Sequence, residues 1–198
     1  MTPSEQQEAV RSEVRYPAAM HDVLRGQEVV YEDLFREQKS VSYCFLNVFL
    51  FGLLHAVFVL FLAGYVWGGS ESQAGLPVQA QVAVLASGIM VAFFMHAGAA
   101  LFFWVFARGL GGRPAFLPLY LNLGVGFIAL WPLAPVLAAF QAGIGGWILL
   151  VALGMLALYA TAVVFAGLKS ASGLSAMRMS LAMVLTVAYV ACFLYLWV

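Results

Sequence analysis

The run from Gln81 to Pro114, "QVAVLASGIMVAFFMHAGAALFFWVFARGLGGRP", constrains everything else in this chain. Its apolar part exceeds the roughly 20 residues that an α-helix needs to cross about 30 Å of hydrocarbon. Comparable runs recur after residue 40. Backbone in lipid has no water to bond, so such runs must be helices or the strands of a closed barrel. Barrel strands alternate apolar and polar residues over about ten positions, and that alternation is missing. Only 9% of the 198 residues are charged and 64% are hydrophobic, whereas about a quarter of a soluble domain is charged. The expected fold is therefore all-α, a polytopic membrane protein whose first partner is the lipid bilayer. Its formal net charge of zero implies no attraction to nucleic acid.

Five transmembrane helices are predicted, at about 41–66, 80–107, 115–140, 144–168 and 176–198. The third carries Pro118, Pro132 and Pro135, each of which removes a helical hydrogen bond, so a bent helix is expected there. Ahead of this bundle (41–198), residues 1–40 hold eight of the nine acidic and five of the nine basic side chains. They form a polar cytoplasmic segment without a signal-peptide core, so no cleavage is expected. From Pro17 to Lys39, Met20, Val23, Leu24, Val30, Tyr31, Leu34 and Phe35 fall largely at helical spacing among charged residues. That pattern predicts an amphipathic helix lying on the membrane or packed on the helix ends.

Orientation follows from the basic residues. Five precede the first span, and Arg108, Arg113, Lys169 and Arg178 occupy the second-to-third and fourth-to-fifth connections. All nine fall on one side, which the positive-inside rule makes cytoplasmic. The N-terminus is then inside and the C-terminus outside. Cys44 and Cys192 end at opposite faces and cannot pair within one chain. Cys44 is expected as a small buried thiol, with palmitoylation as its alternative.

Small residues mark where helices can approach closely. Gly88, Ala92, His96 and Ala100 form a ridge at four-residue spacing, and Gly64 with Gly68 makes a GxxxG. The histidines are the sharpest chemical candidates. Counting from the cytoplasmic ends puts His55 about 21 Å and His96 about 17 Å into the membrane on adjacent antiparallel helices. Facing imidazoles could ligate a b-type haem, relay protons or hold a metal ion. They could equally hydrogen-bond across helices as plain packing groups. No acidic residue or third histidine joins them within the spans, which weakens a metal site. No nucleophile elbow, zinc-protease or phosphate-loop motif occurs. The spans also lack the Asp or Glu that cation-coupled pumps keep on the ion path.

The stretch "YPAAMHDVLRG", five spans, and the inner loops "ARGLGGRPAF" (107–116) and "GLKSASGLSAMR" (167–178) together resemble the Yip domain family, more closely its bacterial members. The "DLYGP" box of the eukaryotic members is missing, so Rab binding does not carry over. The resemblance implies a non-enzymatic organiser or scaffold of other membrane proteins, such as an accessory subunit of a larger complex. It also implies the bacterial inner membrane and no cofactor. Two alternatives stand beside it: a haem-carrying electron-transfer subunit using His55 and His96, and a small transporter or lipid-handling protein with a cavity opened by the bent third span.

Overall fold

The computed structural model describes residues 15–67 and 76–197. Among these the chain is helical without strands. The helices are α1 (Tyr16–Leu24), α2 (Val29–Arg36), α3 (Ser40–Trp67), α4 (Val78–Gly109) and α5 (Phe116–Gly126). A 3-10 turn over Phe127–Leu130 follows, then α6 (Leu133–Gln141), α7 (Trp147–Ser172) and α8 (Ala176–Trp197).

Three of these helices are long and apolar enough to cross a membrane: α3 over Ser40–Gly64, α4, and α7. The segment Phe116–Leu130 with α6 makes a fourth candidate if the pair is one broken span, bent by 72°. The fifth expected span coincides with α8, a shorter apolar helix over Ala176–Cys192. Among the described residues, length and composition thus support three to four crossings.

The bend has one cause among the three prolines. Pro132 caps α6 at the break, whereas Pro118 and Pro135 are the third residues of α5 and α6. The first turn of a helix has no internal partner for its N–H groups, so proline there removes no bond.

Residues 121–127 are buried without interruption, which puts the second half of α5 at the centre of the bundle. A helical stretch enclosed on all sides must be apolar all round, and "LNLGVGF" departs from that only at Asn122. Gly124 supplies the space its neighbours need: a Cβ there would lie 2.1 Å from Cys44 Sγ and 3.0 Å from His96 Nε2. Cys44 is thus a buried thiol.

The expected single helix over 17–39 is instead a hairpin of α1 and α2. Gly26 sits at φ +71°, with its own N–H bonded to the Val23 carbonyl and that of Gln27 to the Asp22 carbonyl. That is a Schellman cap, which glycine favours because the left-handed position has no Cβ penalty. The apolar side of the hairpin turns into the bundle. Ala19, Met20, Val23, Val30, Tyr31 and Leu34 are buried in one cluster with Leu121, Val125 and Ala160. Val23 and Leu34 are fully buried, worth about 1.5–3 kcal/mol each. The exposed pair of Lys169 Nζ and Glu28 Oε1 at 3.0 Å contributes less, about 1 kcal/mol at most.

Tyr31 lies over Gly167, where a Cβ would approach its ring within 2.6 Å. Burial raises the pKa of its hydroxyl above the ordinary phenol range, and the hydroxyl is buried without a hydrogen-bond partner. Because that group costs desolvation and returns no bond, Tyr31→Phe should leave stability unchanged or raise it by about 1 kcal/mol. Thermal unfolding in mild detergent measures this, and a clear loss would mean that the hydroxyl is bonded after all.

Candidate functional site

Two polar layers run through the bundle. In the first, Asn47 of α3 joins three elements. The Tyr16 hydroxyl donates to Asn47 Oδ1, and Asn47 Nδ2 donates to the Val125 carbonyl at 2.8 Å and approaches Met20 Sδ at 3.3 Å. Trp131 Nε1 donates to the Asn47 carbonyl at 3.1 Å. Asn122 Nδ2 similarly donates to the Gly167 carbonyl at 3.0 Å and to Ser170 Oγ at 3.2 Å. Both carboxamides close gaps between helices and leave little for a ligand.

His96 belongs to this layer. Its Nε2 lies 2.9 Å from the Tyr120 carbonyl, an acceptor, so that nitrogen carries the proton. The ring packs on Tyr120 at 4.2 Å and edge-on to Phe127 at 5.1 Å. His55 lies elsewhere: it bonds the Gln141 side chain at the end of α6. Close approach of α3 and α4 is centred on Gly52, Ala56 and Gly88. His96 lies eight residues along α4 from Gly88, about 12 Å, toward the basic end. The expected facing pair is therefore not formed. Counting depth from the helix ends assumes flush ends, but α4 runs past the start of α3 by about two turns. Two axial ligands must flank one iron, and these imidazoles do not fit that arrangement. Among the described residues, no three His, Cys, Asp or Glu side chains converge on a metal site.

The second layer opens into a cavity of about 570 Å³, within the range of about 300–1,000 Å³ typical of ligand sites. Phe51 and His55 of α3 line it with Phe103 of α4 and Phe127 of the 3-10 turn. Leu133, Leu137, Phe140 and Gln141 supply a wall from bent α6. The remaining walls are α7 from Leu153 to Leu168 and α8 from Met183 to Ala191. Its length along α7, fifteen residues, is about 22 Å. Polar groups are few: His55, Gln141, Thr161 and Thr186, with Thr186 Oγ1 donating to the Ala182 carbonyl of its own helix at 2.8 Å. Among the described residues, no charged side chain lines it.

Other sequence candidates have structural places. Ala92 and Ala100 are buried, and Gly88 faces Gly52 and Ala56 across the α3–α4 contact. A Cβ at Gly64 would meet nothing within 4 Å, and Gly68 lies outside the described residues. The basic loops collect at one end of the bundle. Lys169 pairs with Glu28, Arg178 Nη1 lies beside Gly111, and the Arg108 guanidinium stacks 4.6 Å from the Trp104 ring. Arg113 is exposed in the same loop. Sequence reasoning passes over Gln141, although a lone carboxamide closing a proline-bent apolar segment is a usable signal.

No family model, curated protein or solved structure matches this chain. The likeness to Yip domain proteins rests on the residues quoted for it.

Proposed function

We propose that this is a non-enzymatic integral membrane protein that handles lipid, holding one chain-like apolar molecule inside its bundle. The observation that carries the proposal is the 570 Å³ cavity between α6, α7 and α8. It is elongated, uncharged among its described residues, and walled by Leu, Ala, Phe and Val side chains. Such a surface favours hydrocarbon and disfavours ions. The bent third span, the feature expected to open a cavity, contributes Leu133, Leu137, Phe140 and Gln141 to its wall.

A bacterial inner-membrane topology with five crossings and a cytoplasmic N-terminus suits this function. Supporting it, the basic loops gather at the end where Glu28 docks, and α8 helps wall the cavity. The organiser function implied by the Yip likeness needs the charged side of this segment to be accessible, and Arg25, Glu28, Glu32 and Arg36 are exposed. The cavity is nevertheless the one feature among the described residues with the volume and lining of a ligand site, whereas the apolar side of α1 and α2 is already covered by the bundle.

Ala157 lines the cavity on α7 and is only partly buried, so a large side chain there can fill the space. Ala157→Trp is expected to remove most lipid that stays bound through detergent exchange, as read by native mass spectrometry, while helicity by circular dichroism is unchanged. Protein that carries no lipid before the substitution would overturn the proposal.

A further inference from the structure

We infer that the molecule held in the cavity is a prenylated quinone, with its ring at His55 and Gln141 and its tail running along α7. The inference rests on the lipid-handling function proposed above and adds the class of headgroup.

Charge is the first ground. Phosphate headgroups and free carboxylates are recognised by Lys, Arg or clusters of N–H groups, and no cationic side chain lines the cavity among the described residues. An uncharged headgroup is what the lining can desolvate at low cost. The second ground is hydrogen bonding. His55 and Gln141 are bonded to one another and both line the cavity. An imidazole has two ring nitrogens, and a carboxamide has two N–H donors and an acceptor oxygen. A pair that shares one bond can therefore still offer an N–H to a carbonyl oxygen. Quinone carbonyls are acceptors of that kind.

The third ground is shape. Phe51 stands one turn before His55 on α3 and meets Phe127 edge-on, with centroids 5.7 Å apart at 88°. Phe140 adjoins Gln141, and all three rings line the cavity. A flat ring inserted beside the polar pair would find aromatic faces and edges for stacked or T-shaped contact. The wall of α7 from Leu153 to Leu168 spans about 22 Å in all, which accommodates a prenyl chain of several units. Elsewhere in the lining only Thr161 and Thr186 are polar, and Thr186 Oγ1 already donates to its own helix, so the polar pair is where a carbonyl finds N–H donors.

The full-length protein is to be isolated from its native membrane in mild detergent, extracted with organic solvent, and the extract analysed by mass and by its absorbance change on reduction. Quinone near one per chain is expected, falling at least tenfold in the double variant His55→Ala, Gln141→Ala and in Ala157→Trp. Helicity and unfolding midpoint of each variant show that the loss is not misfolding. His55→Asn, which keeps an N–H donor, is expected to retain part of the quinone. If another neutral lipid is found, lost in Ala157→Trp but indifferent to the His55 and Gln141 substitutions, the quinone inference is wrong and the lipid-handling function stands. Absence of any bound lipid from the unaltered protein overturns both.

Discussion

Gly52→Leu should lower the stability of the bundle by about 3 kcal/mol or more, measured as thermal unfolding in mild detergent. A Cβ at this position would lie 2.8 Å from the Gly88 carbonyl oxygen and 2.8 Å from Ile89 Cα. Both are backbone atoms of α4 and cannot rotate away, so the two helices must separate. In lipid, association of helices depends on close packing rather than on expulsion of water, and separation removes the packing that holds α3 and α4 together. Gly64→Leu is the matched control: it adds the same side chain to the same helix where nothing lies within 4 Å. Equal behaviour of the two variants would mean that the α3–α4 approach at Gly52 is not as close as described.

Asn47→Ala is the second large effect, at about 2–4 kcal/mol. The side chain accepts from the Tyr16 hydroxyl and donates to the Val125 carbonyl. Alanine leaves both partners without it, and a buried polar group without a partner costs about 1–3 kcal/mol. The Trp131 bond survives because it ends on the Asn47 backbone carbonyl. The loss should fall selectively on α1, so trypsin is expected to cut at Arg25 well before the bundle unfolds. Unchanged cleavage in the variant would show that burial of Met20 and Val23 alone seats the helix.

The apolar spans are legible because lipid imposes a composition that few other environments do. The break in the third span is legible from its prolines, although only Pro132 marks it, since Pro118 and Pro135 occupy first turns where they do no harm. The N-terminal hairpin is hidden because an apolar rhythm of helical spacing runs through Gly26 almost unbroken, while the cap there is a backbone matter. Counting from helix ends gives His55 and His96 similar depths, yet their separation depends on the stagger of α4 against α3. That stagger is set by Gly52 and Gly88 fitting together, a contact between two distant parts of the sequence. The cavity could be anticipated only as a consequence of the bend. Its lining comes from α3, α4 and the elements from α5 to α8, and no local pattern contains it.

The seat of α1 and α2 also has a consequence for the order in which the molecule is made. Their partners Tyr159 and Lys169 lie 135 and 141 residues downstream of Leu24 and Glu28. These two helices leave the ribosome well before α7, and their apolar side stays uncovered until α7 has been synthesised and inserted. Contacts at such sequence separation form slowly, because the whole intervening chain must be ordered first. Docking of α1 and α2 therefore follows the insertion of α7, so a segment made early takes its place late.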